Sequence, residues 1–466
     1  MLGGGADCDR RRLGITIIEL FKLDSVARQA SHRTPTLVLV RVTAEPIFVS
    51  GRKDEMKSFT CLVLASAAIL RAVSSAPTLE CLTTAPNPSF ATKIPLLPDP
   101  FEFLSGAPVE SKEEWSCRRN EISQLFQQYE LGLKPGPSQN LQSDFQQYQN
   151  GTGGNLTLTA SNGDKAISWT ATITYPNSTK HGGPYPALIA LDLLTIPVPD
   201  GVAIITFFVS EFAQQDNTTS RGKGLFYELY PDTSPQAAGA LMAWSWGLSR
   251  IIDALTNSSD IGIDATRVGV VGCSRWGKGS LVAGAFDERI ALTIVQESGS
   301  GGTACWRLSD VENVSVDGAD TVQTAHEIVT ENVWFSTEFE VFASETDGTQ
   351  RLPFDHHMLA GLVAPRGLLV IDNLGYEWLS PWSSYGCMTV ARQIYKALGD
   401  QQAMGYTEAA NHTHCQFPVE DQGAELDAFV EKYLLGEQSQ TDVFRTEANF
   451  TFDMAMWIDW ETPDLS

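Results

Sequence analysis

From about Asn177 onward, short apolar runs alternate with longer stretches whose apolar residues recur every three or four positions. That alternation constrains the fold more than any other feature of the 466-residue chain. The runs Tyr185–Leu191, Val202–Phe208, Arg267–Gly272, Ile290–Gln296, Gly367–Ile371 and Met404–Ala410 are rich in Val, Ile, Leu and aromatic residues and read as buried strands. The stretches Ala237–Leu255, Trp276–Phe286, Tyr385–Leu398 and Glu425–Leu435 read as helices. Strands and helices in turn predict an α/β chain with a mostly parallel central sheet and helices on both faces, a three-layer αβα sandwich. Ligands of such sheets bind beyond the carboxyl ends of the strands.

One strand-to-helix junction carries a reactive side chain. In VVGCSRWGKGSL, residues 270–281, Gly272 and Gly277-Lys278 have the skeleton of a phosphate-cradling loop, but the position after Lys278 is Gly279, where magnesium would need Ser or Thr. The alternative is a nucleophile elbow. A tight turn lifts the Ser274 hydroxyl to the end of the sheet and aims the first N–H groups of the following helix at a developing oxyanion. The flanking glycines stand one residue wider than the Gly-x-Ser-x-Gly pattern, and a strand-Gly-x-Ser turn also occurs as plain turn chemistry.

A serine nucleophile needs a base and an acid that orients it. His412 and His414 follow the last strand, where such a base belongs. His356 and His357 precede a helix-like run and read as structural, and His326 falls in a polar loop region. For the acid, Asp372 and Glu377 follow the penultimate strand, while Glu297 ends the strand after the elbow. Topology alone favours Asp372.

Composition narrows the partners. A formal net charge of -24 repels nucleic acid and anionic membranes, whose binding depends on clustered Lys and Arg. Met56-Lys57-Ser58, the apolar run Cys61–Leu70 and the small residues up to Ala76 read as a secretory leader, residues 56–76. The run is too short for a membrane span and is ended by Arg71. Residues 1–55 are then expected to lie outside the natural translated chain, a genuine extension being the alternative, and residues 77–466 to form a single catalytic domain. Asn150, Asn155, Asn177, Asn217, Asn257, Asn313 and Asn449 head glycosylation triplets, as does Asn411, which lies so close to the candidate base that it is expected to stay unmodified. Leaving out Cys8 and Cys61, the remaining cysteines Cys81, Cys117, Cys273, Cys305, Cys387 and Cys415 form an even set suited to disulfides, and no Cys-x-x-Cys pair suggests a metal.

Longer motifs add a resemblance. GCSRWGK (272–278), QESGSGGTACWR (296–307), VQTAHEI (322–328) and HCQFP (414–418), with LPDPFEF (97–103) and CRRNEI (117–122), closely resemble the glucuronoyl esterases, carbohydrate esterase family 15. The resemblance runs from about Cys81 to Asp459 and implies an α/β-hydrolase fold. It implies Ser274 as nucleophile, Glu297 rather than Asp372 as acid, and His414 rather than His412 as base. It also implies Arg275 at the oxyanion, Lys278, Gln323, Glu331 and Trp378 on the sugar, and disulfides Cys273–Cys415, Cys305–Cys387 and Cys81–Cys117. The activity implied is secreted hydrolysis of esters between 4-O-methyl-glucuronic acid of glucuronoxylan and lignin alcohols, by a monomer without cofactor or metal. Two other readings stay open on the same scaffold: an acetyl xylan esterase-like enzyme, and an inactive polysaccharide-binding homologue. The chain departs from its relatives at Leu191-Asp192-Leu193-Leu194, where they tend to have a glycine-rich turn, and at Thr206–Glu211, and Trp276 stands bulky beside the nucleophile.

Overall fold

A computed structural model describes residue 81 and residues 88–177, 183–315 and 322–465. The expected extension at 1–55 and leader at 56–76 lie outside the described residues. Within them, ten strands form one sheet: β1 (Asn140–Gln147), β2 (Gly153–Asn162), β3 (Lys165–Thr174), β4 (Tyr185–Leu191), β5 (Ala203–Phe207), β6 (Ile263–Cys273), β7 (Ile290–Gln296), β8 (Gly367–Asn373), β9 (Met404–Ala409) and β10 (Phe444–Thr446). Their order is β1-β2-β3-β5-β4-β6-β7-β8-β9-β10. From β5 to β10 every pairing is parallel, while β1, β2, β3 and β5 pair antiparallel.

The six strands read from the sequence are β4 to β9, displaced by a few residues at most at their ends. They read as unbroken apolar runs because both faces are covered. Ala187, Ile189 and Leu191 of β4 and Leu368 and Val370 of β8 enter one hydrophobic cluster, whereas Leu188, Ala190, Leu369 and Ile371 enter another. This two-residue alternation is the pleat of a strand with a helix layer on each side. On the first face lie α1 (Lys112–Phe126), α2 (Ala240–Asn257), α3 (Arg275–Phe286), α4 (Trp306–Ser315), α5 (Ala325–Glu331), α6 (His356–Gly361) and α7 (Pro381–Ala397), all with side chains in that larger cluster. On the second lies α8 (Val419–Val430), packing Leu426, Phe429 and Val430. The three-layer α/β architecture is thus present, and the antiparallel end β1–β3 extends it beyond what the sequence reading identified.

Buried polar contacts within the first-face layer hold the loop that follows β7. His356 and His357 are fully buried, as their structural reading requires. His356 donates from one ring nitrogen to Gly302 O at 2.6 Å and pairs through Nε2 with Glu130 Oε1 at 2.8 Å. Burial works against a charged imidazole, but the Glu130 and Asp355 carboxylates and the Gly302 carbonyl together outweigh it and hold the His356 pKa above its usual value. Glu130 also accepts from Trp306 Nε1 at 3.2 Å. One buried carboxylate therefore fastens the end of the α1 segment to the loop containing Gly302. Glu130→Ala is expected to destabilise the protein by about 3–5 kcal/mol, because it strands a buried partner. Calorimetry that finds less than about 1 kcal/mol would show that the pair is not a structural tie.

Candidate active site

β6 stops at Cys273, and α3 begins at Arg275. Ser274 makes the turn between them with φ 59 and ψ -126, a conformation costing about 1–3 kcal/mol that persists only where its surroundings enforce it. The two glycines allow this enforcement. A Cβ on Gly272 would stand 2.4 Å from Trp276 O, and one on Gly277 would stand 2.7 Å from Gln296 O. Backbone packs on both sides of the serine, at Ser274+3 rather than Ser274+2, which accounts for the wider glycine spacing. Ser274 N donates to Gln296 O at 2.9 Å, so the elbow is stitched to the end of β7.

The next residue is Glu297, also at positive φ (46), fully buried beyond the carboxyl end of β7. Its Oε2 accepts from His414 Nδ1 at 2.7 Å, from Cys415 N at 2.9 Å and from Asn373 Nδ2 at 3.3 Å, and Oε1 accepts from Gln296 Nε2 at 3.1 Å. His414 N in turn donates to Tyr376 OH at 3.0 Å, and the imidazole meets the Trp378 ring edge-on, centroids 4.8 Å apart. His412 lies farther off, with Nδ1 3.8 Å from Glu297 Oε1 and 3.2 Å from Asn373 Nδ2. The imidazole that Glu297 orients by direct hydrogen bond is that of His414.

Asp372, favoured by topology alone, takes another role. Its carboxyl accepts from Ser384 Oγ at 2.5 Å and from Tyr406 OH at 3.4 Å. Burial above all, and then the neighbouring Glu297 charge, push its pKa to about 7. The single Tyr406 hydroxyl proton serves either Asp372 or Glu408, whose Oε1 lies 3.1 Å away and whose pKa burial and Asp372 raise to about 8. Burial thus holds two neighbouring carboxyls beneath the site well above the usual carboxylate range.

The disulfides Cys81–Cys117, Cys273–Cys415 and Cys305–Cys387 are all formed. The second joins the residue before Ser274 to the residue after His414, Cα atoms 5.8 Å apart across 142 positions of sequence. Ligand-type atoms of Cys273, His414 and Cys415 lie within 4.8 Å of one another, but the two sulfurs are bonded together and offer no thiolate to a metal.

The residues assigned to the sugar gather on the side of β7 and β8. Lys278 is buried beneath the elbow, where its ammonium donates to Ser298 O and, at 2.7 Å, to Ser300 O, and lies 5.3 Å from the Trp334 ring centroid. Burial lowers its pKa to about 7, against the attraction of Glu331. Gln323 N donates to Trp378 O at 3.3 Å, and its amide donates to Glu331 Oε2 at 3.3 Å. Arg275 donates to Gln215 Oε1 at 3.1 Å and stacks over Trp334 at 5.4 Å. Gln215 Oε1 also accepts from Trp334 Nε1 at 2.9 Å, and Gln215 O accepts from Asn332 Nδ2. His326 stands on α5, not in a loop: Thr324 caps that helix by accepting from Glu327 N.

Sequence reasoning missed Asn373, Tyr376, Gln296 and Gln215. The first two lie in IDNLGYEW, between the candidate acids Asp372 and Glu377 and the sugar residue Trp378, and Gln296 precedes Glu297 directly. Gln215 carries no pattern that would single it out.

A model of the family described as "Glucuronyl esterase, fungi" matches residues 158–399, more than half of the chain. This chain belongs to the fungal glucuronyl esterases. The 4-O-methyl-glucuronoyl methylesterase of Phanerochaete carnosa is 45% identical over 413 residues, 88% of this chain and 98% of the relative. That of Hypocrea jecorina is 48% identical over 370 residues, 79% of this chain and 76% of the relative. Among solved structures, the Hypocrea jecorina glucuronoyl esterase catalytic domain superposes with a TM-score of 0.75 at 46% identity, covering 82% of this chain and 100% of that one. A glucuronoyl esterase mutant from Sporotrichum thermophile, in complex with methyl 4-O-methyl-beta-D-glucopyranuronate, gives 0.75 at 40% identity over 83% and 100%. The α/β-hydrolase fold that the motifs implied is the fold of these esterases.

In this member of the family three buried acids contribute to the pH dependence of stability. Asp372, Glu408 and Glu312, the last raised to about 7, all owe their shifts chiefly to burial. Each keeps its proton in the folded chain where the unfolded chain, with a carboxyl pKa near 4, has lost it. The folded state then binds more protons, so this contribution to stability falls as pH rises from about 4 to about 7 or 8. Asp372→Asn, which imitates the protonated acid, is expected to flatten the fall of the thermal midpoint between those pH values. Identical slopes for the variant and the parent would contradict the protonated state of Asp372.

Proposed function

We propose that the chain is a serine carboxylic ester hydrolase that cleaves glucuronoyl esters, with Ser274, His414 and Glu297 as its catalytic groups. The observation that carries this reading is the 2.7 Å bond from His414 Nδ1 to the buried Glu297, made in a residue that the Cys273–Cys415 bridge ties to the neighbour of Ser274. With Nδ1 held by the carboxylate, Nε2 is left to take the Ser274 hydroxyl proton as Oγ attacks the C6 carbonyl of the uronate. The negative charge that forms on the carbonyl oxygen meets N–H groups at the start of α3, Arg275 N among them, which have no acceptor within the helix. Arg275, braced by Gln215 and Trp334, adds a positive side chain close by. The imidazolium then protonates the departing alcohol, and water activated by the same imidazole releases the acid from the acyl-enzyme.

Lys278, Gln323, Glu331 and Trp378 bind the sugar. Ammonium, amide and carboxylate together supply donors and acceptors for hydroxyl groups, and an indole supplies a flat face. The substrate class rests on the relatives, named 4-O-methyl-glucuronoyl methylesterases, and on the Sporotrichum thermophile complex with a methyl uronate. The natural esters proposed are those joining glucuronoxylan to lignin alcohols.

Secretion is supported by the three disulfides, which suit an oxidising compartment. Asn150, Asn177, Asn217, Asn257 and Asn449 are exposed and suited to glycans, while Asn155 and Asn313 are half-buried and accept hydrogen bonds from Tyr148 and Val322.

Hydrolysis of benzyl glucuronate, compared with an aryl acetate and acetylated xylan, tests the reading. Turnover of the uronate ester is expected, abolished in Ser274→Ala and reduced roughly ten-thousand-fold in kcat by Glu297→Gln, which loses the charge that orients and stabilises the imidazolium. Turnover of acetates alone would overturn it.

A further inference from the structure

The first turn of α3 meets the nucleophile, and its last turn meets a second recess. From Arg275 to Phe286 the helix rises about 17 Å, so the recess opens about one helix length from Ser274. It has a volume of about 740 Å³, within the roughly 300–1,000 Å³ of small-molecule sites. Asn120 and Ser123 of α1, Lys134, Arg250 of α2 and Arg289 are among the residues that line it. Most charges around it are paired. Arg289 donates to Asp287 at 2.9 and 2.7 Å, to Asp253 at 2.6 Å and to Ser249 O at 3.1 Å. Arg119 donates to Leu362 O and pairs with Glu288.

Two cations are not so matched. Lys134 donates to Ser249 Oγ at 2.8 Å and to Phe286 O at 2.9 Å, where the end of α3 favours a positive charge, and it forms no ion pair among the described residues. Burial lowers its pKa to about 8 against the attraction of Asp287, and the Arg250 and Arg289 charges add to the fall. Arg250 is only 5% exposed. Its Nε donates to Asp253 Oδ2 at 2.6 Å and its guanidinium lies 5.0 Å from the Trp246 ring centroid, yet among the described residues Nη1 and Nη2 have no acceptor. A nearly buried guanidinium whose outer edge is unmet, lining an open recess, offers the two parallel N–H groups that match a carboxylate. Capping α3 explains Lys134 but not Arg250, which belongs to another helix. Arg119, Lys134, Arg250 and Arg289 outnumber Asp253, Asp287 and Glu288 by one positive charge, on a chain of formal net charge -24.

We propose that this recess is a non-catalytic site for the carboxylate of a free uronic acid sugar, gripped by Arg250 and Lys134, with Asn120 and Ser123 on its lining for the sugar hydroxyls. The choice of a uronate among anions rests on the glucuronoyl esterase reading above. The ester that Ser274 attacks is neutral at C6, whereas the acid released, and every unesterified uronate branch of the same polymer, is an anion. An acidic protein repels such a polymer over most of its surface. The recess gives the anionic sugar one place of opposite charge, apart from the elbow, and so holds the chain while its neutral esters are cut.

Titration calorimetry of glucuronate into Ser274→Ala tests the site, with the catalytic pocket first saturated by methyl glucuronate, whose C6 is neutral. Glucuronate is expected to bind at a further site, weakened roughly tenfold or more by Arg250→Gln and by Asn120→Glu, which sets a like charge on the recess lining. Asn120 is exposed, so the second variant reports on the recess even where Arg250→Gln fails to fold. With Ser274 in place, Asn120→Glu is expected to hydrolyse benzyl glucuronate within about twofold of the parent, because the new charge lies beyond a screening length from the elbow. No binding beyond the saturated pocket, or binding that neither variant weakens, overturns the site. Inorganic phosphate bound as tightly as glucuronate overturns the sugar assignment, and xylobiose bound there overturns the role of charge. If the parent fails to hydrolyse benzyl glucuronate, the functional reading itself fails, an outcome distinct from loss of glucuronate binding with Arg250, which reports on the recess alone.

Discussion

A buried carboxylate is costly to hold without partners, and the Glu297 carboxylate is held by four donors. These come from three places in the chain: Gln296 at the end of β7, Asn373 at the end of β8, and His414 and the Cys415 backbone beyond β9. Each strand end must therefore arrive at its proper height for the charge to be satisfied. Ser274 N on Gln296 O links the elbow to the same network, and Thr195 Oγ1 on Gln296 Oε1 at 2.6 Å links the turn after β4. Fold and site share one constraint: the parallel register that aligns these strands also assembles the donors around Glu297.

Strain gathers where this network is tightest. Ser274, Glu297, Asn411 and Cys415 all have positive φ, as does Asp192 at the neighbouring edge. None is glycine, so each depends on contacts that fix it. At Ser274 those contacts exist because Gly272 and Gly277 let backbone approach where a methyl group would collide. The small residues flanking the serine are as much part of the elbow as the serine itself.

The central strands were legible because burial on both faces leaves a continuous apolar signature. The alternation in β2 and β3, with Leu156, Leu158 and Ala160 facing Ile167, Trp169, Ala171 and Ile173 inward, is a weaker mark, since only every second residue is apolar. β10 is three residues long and β1 is mostly polar and exposed, so neither leaves such a trace. Ser274 could be picked from local spacing, since a strand, a tight turn and a helix leave a mark. The acid could not. Asp372 and Glu297 end adjacent strands, and their separation into a buried structural carboxyl and a partner of His414 is made by contacts with Ser384, Tyr406 and Asn373 that no spacing in the sequence displays. Only the longer motif context, which depends on resemblance rather than on periodicity, pointed to Glu297.

The bridge between Cys273 and Cys415 has a bearing on when the molecule becomes competent. It spans 142 positions, so its second half emerges from the ribosome long after the elbow has been made. In a reducing cytosol the two sulfurs would remain separate thiols, leaving His414 without its covalent anchor beside the nucleophile. The hydrolytic centre is thereby fastened only once these two sulfurs are oxidised, so the chain's redox history is written into the geometry of its site.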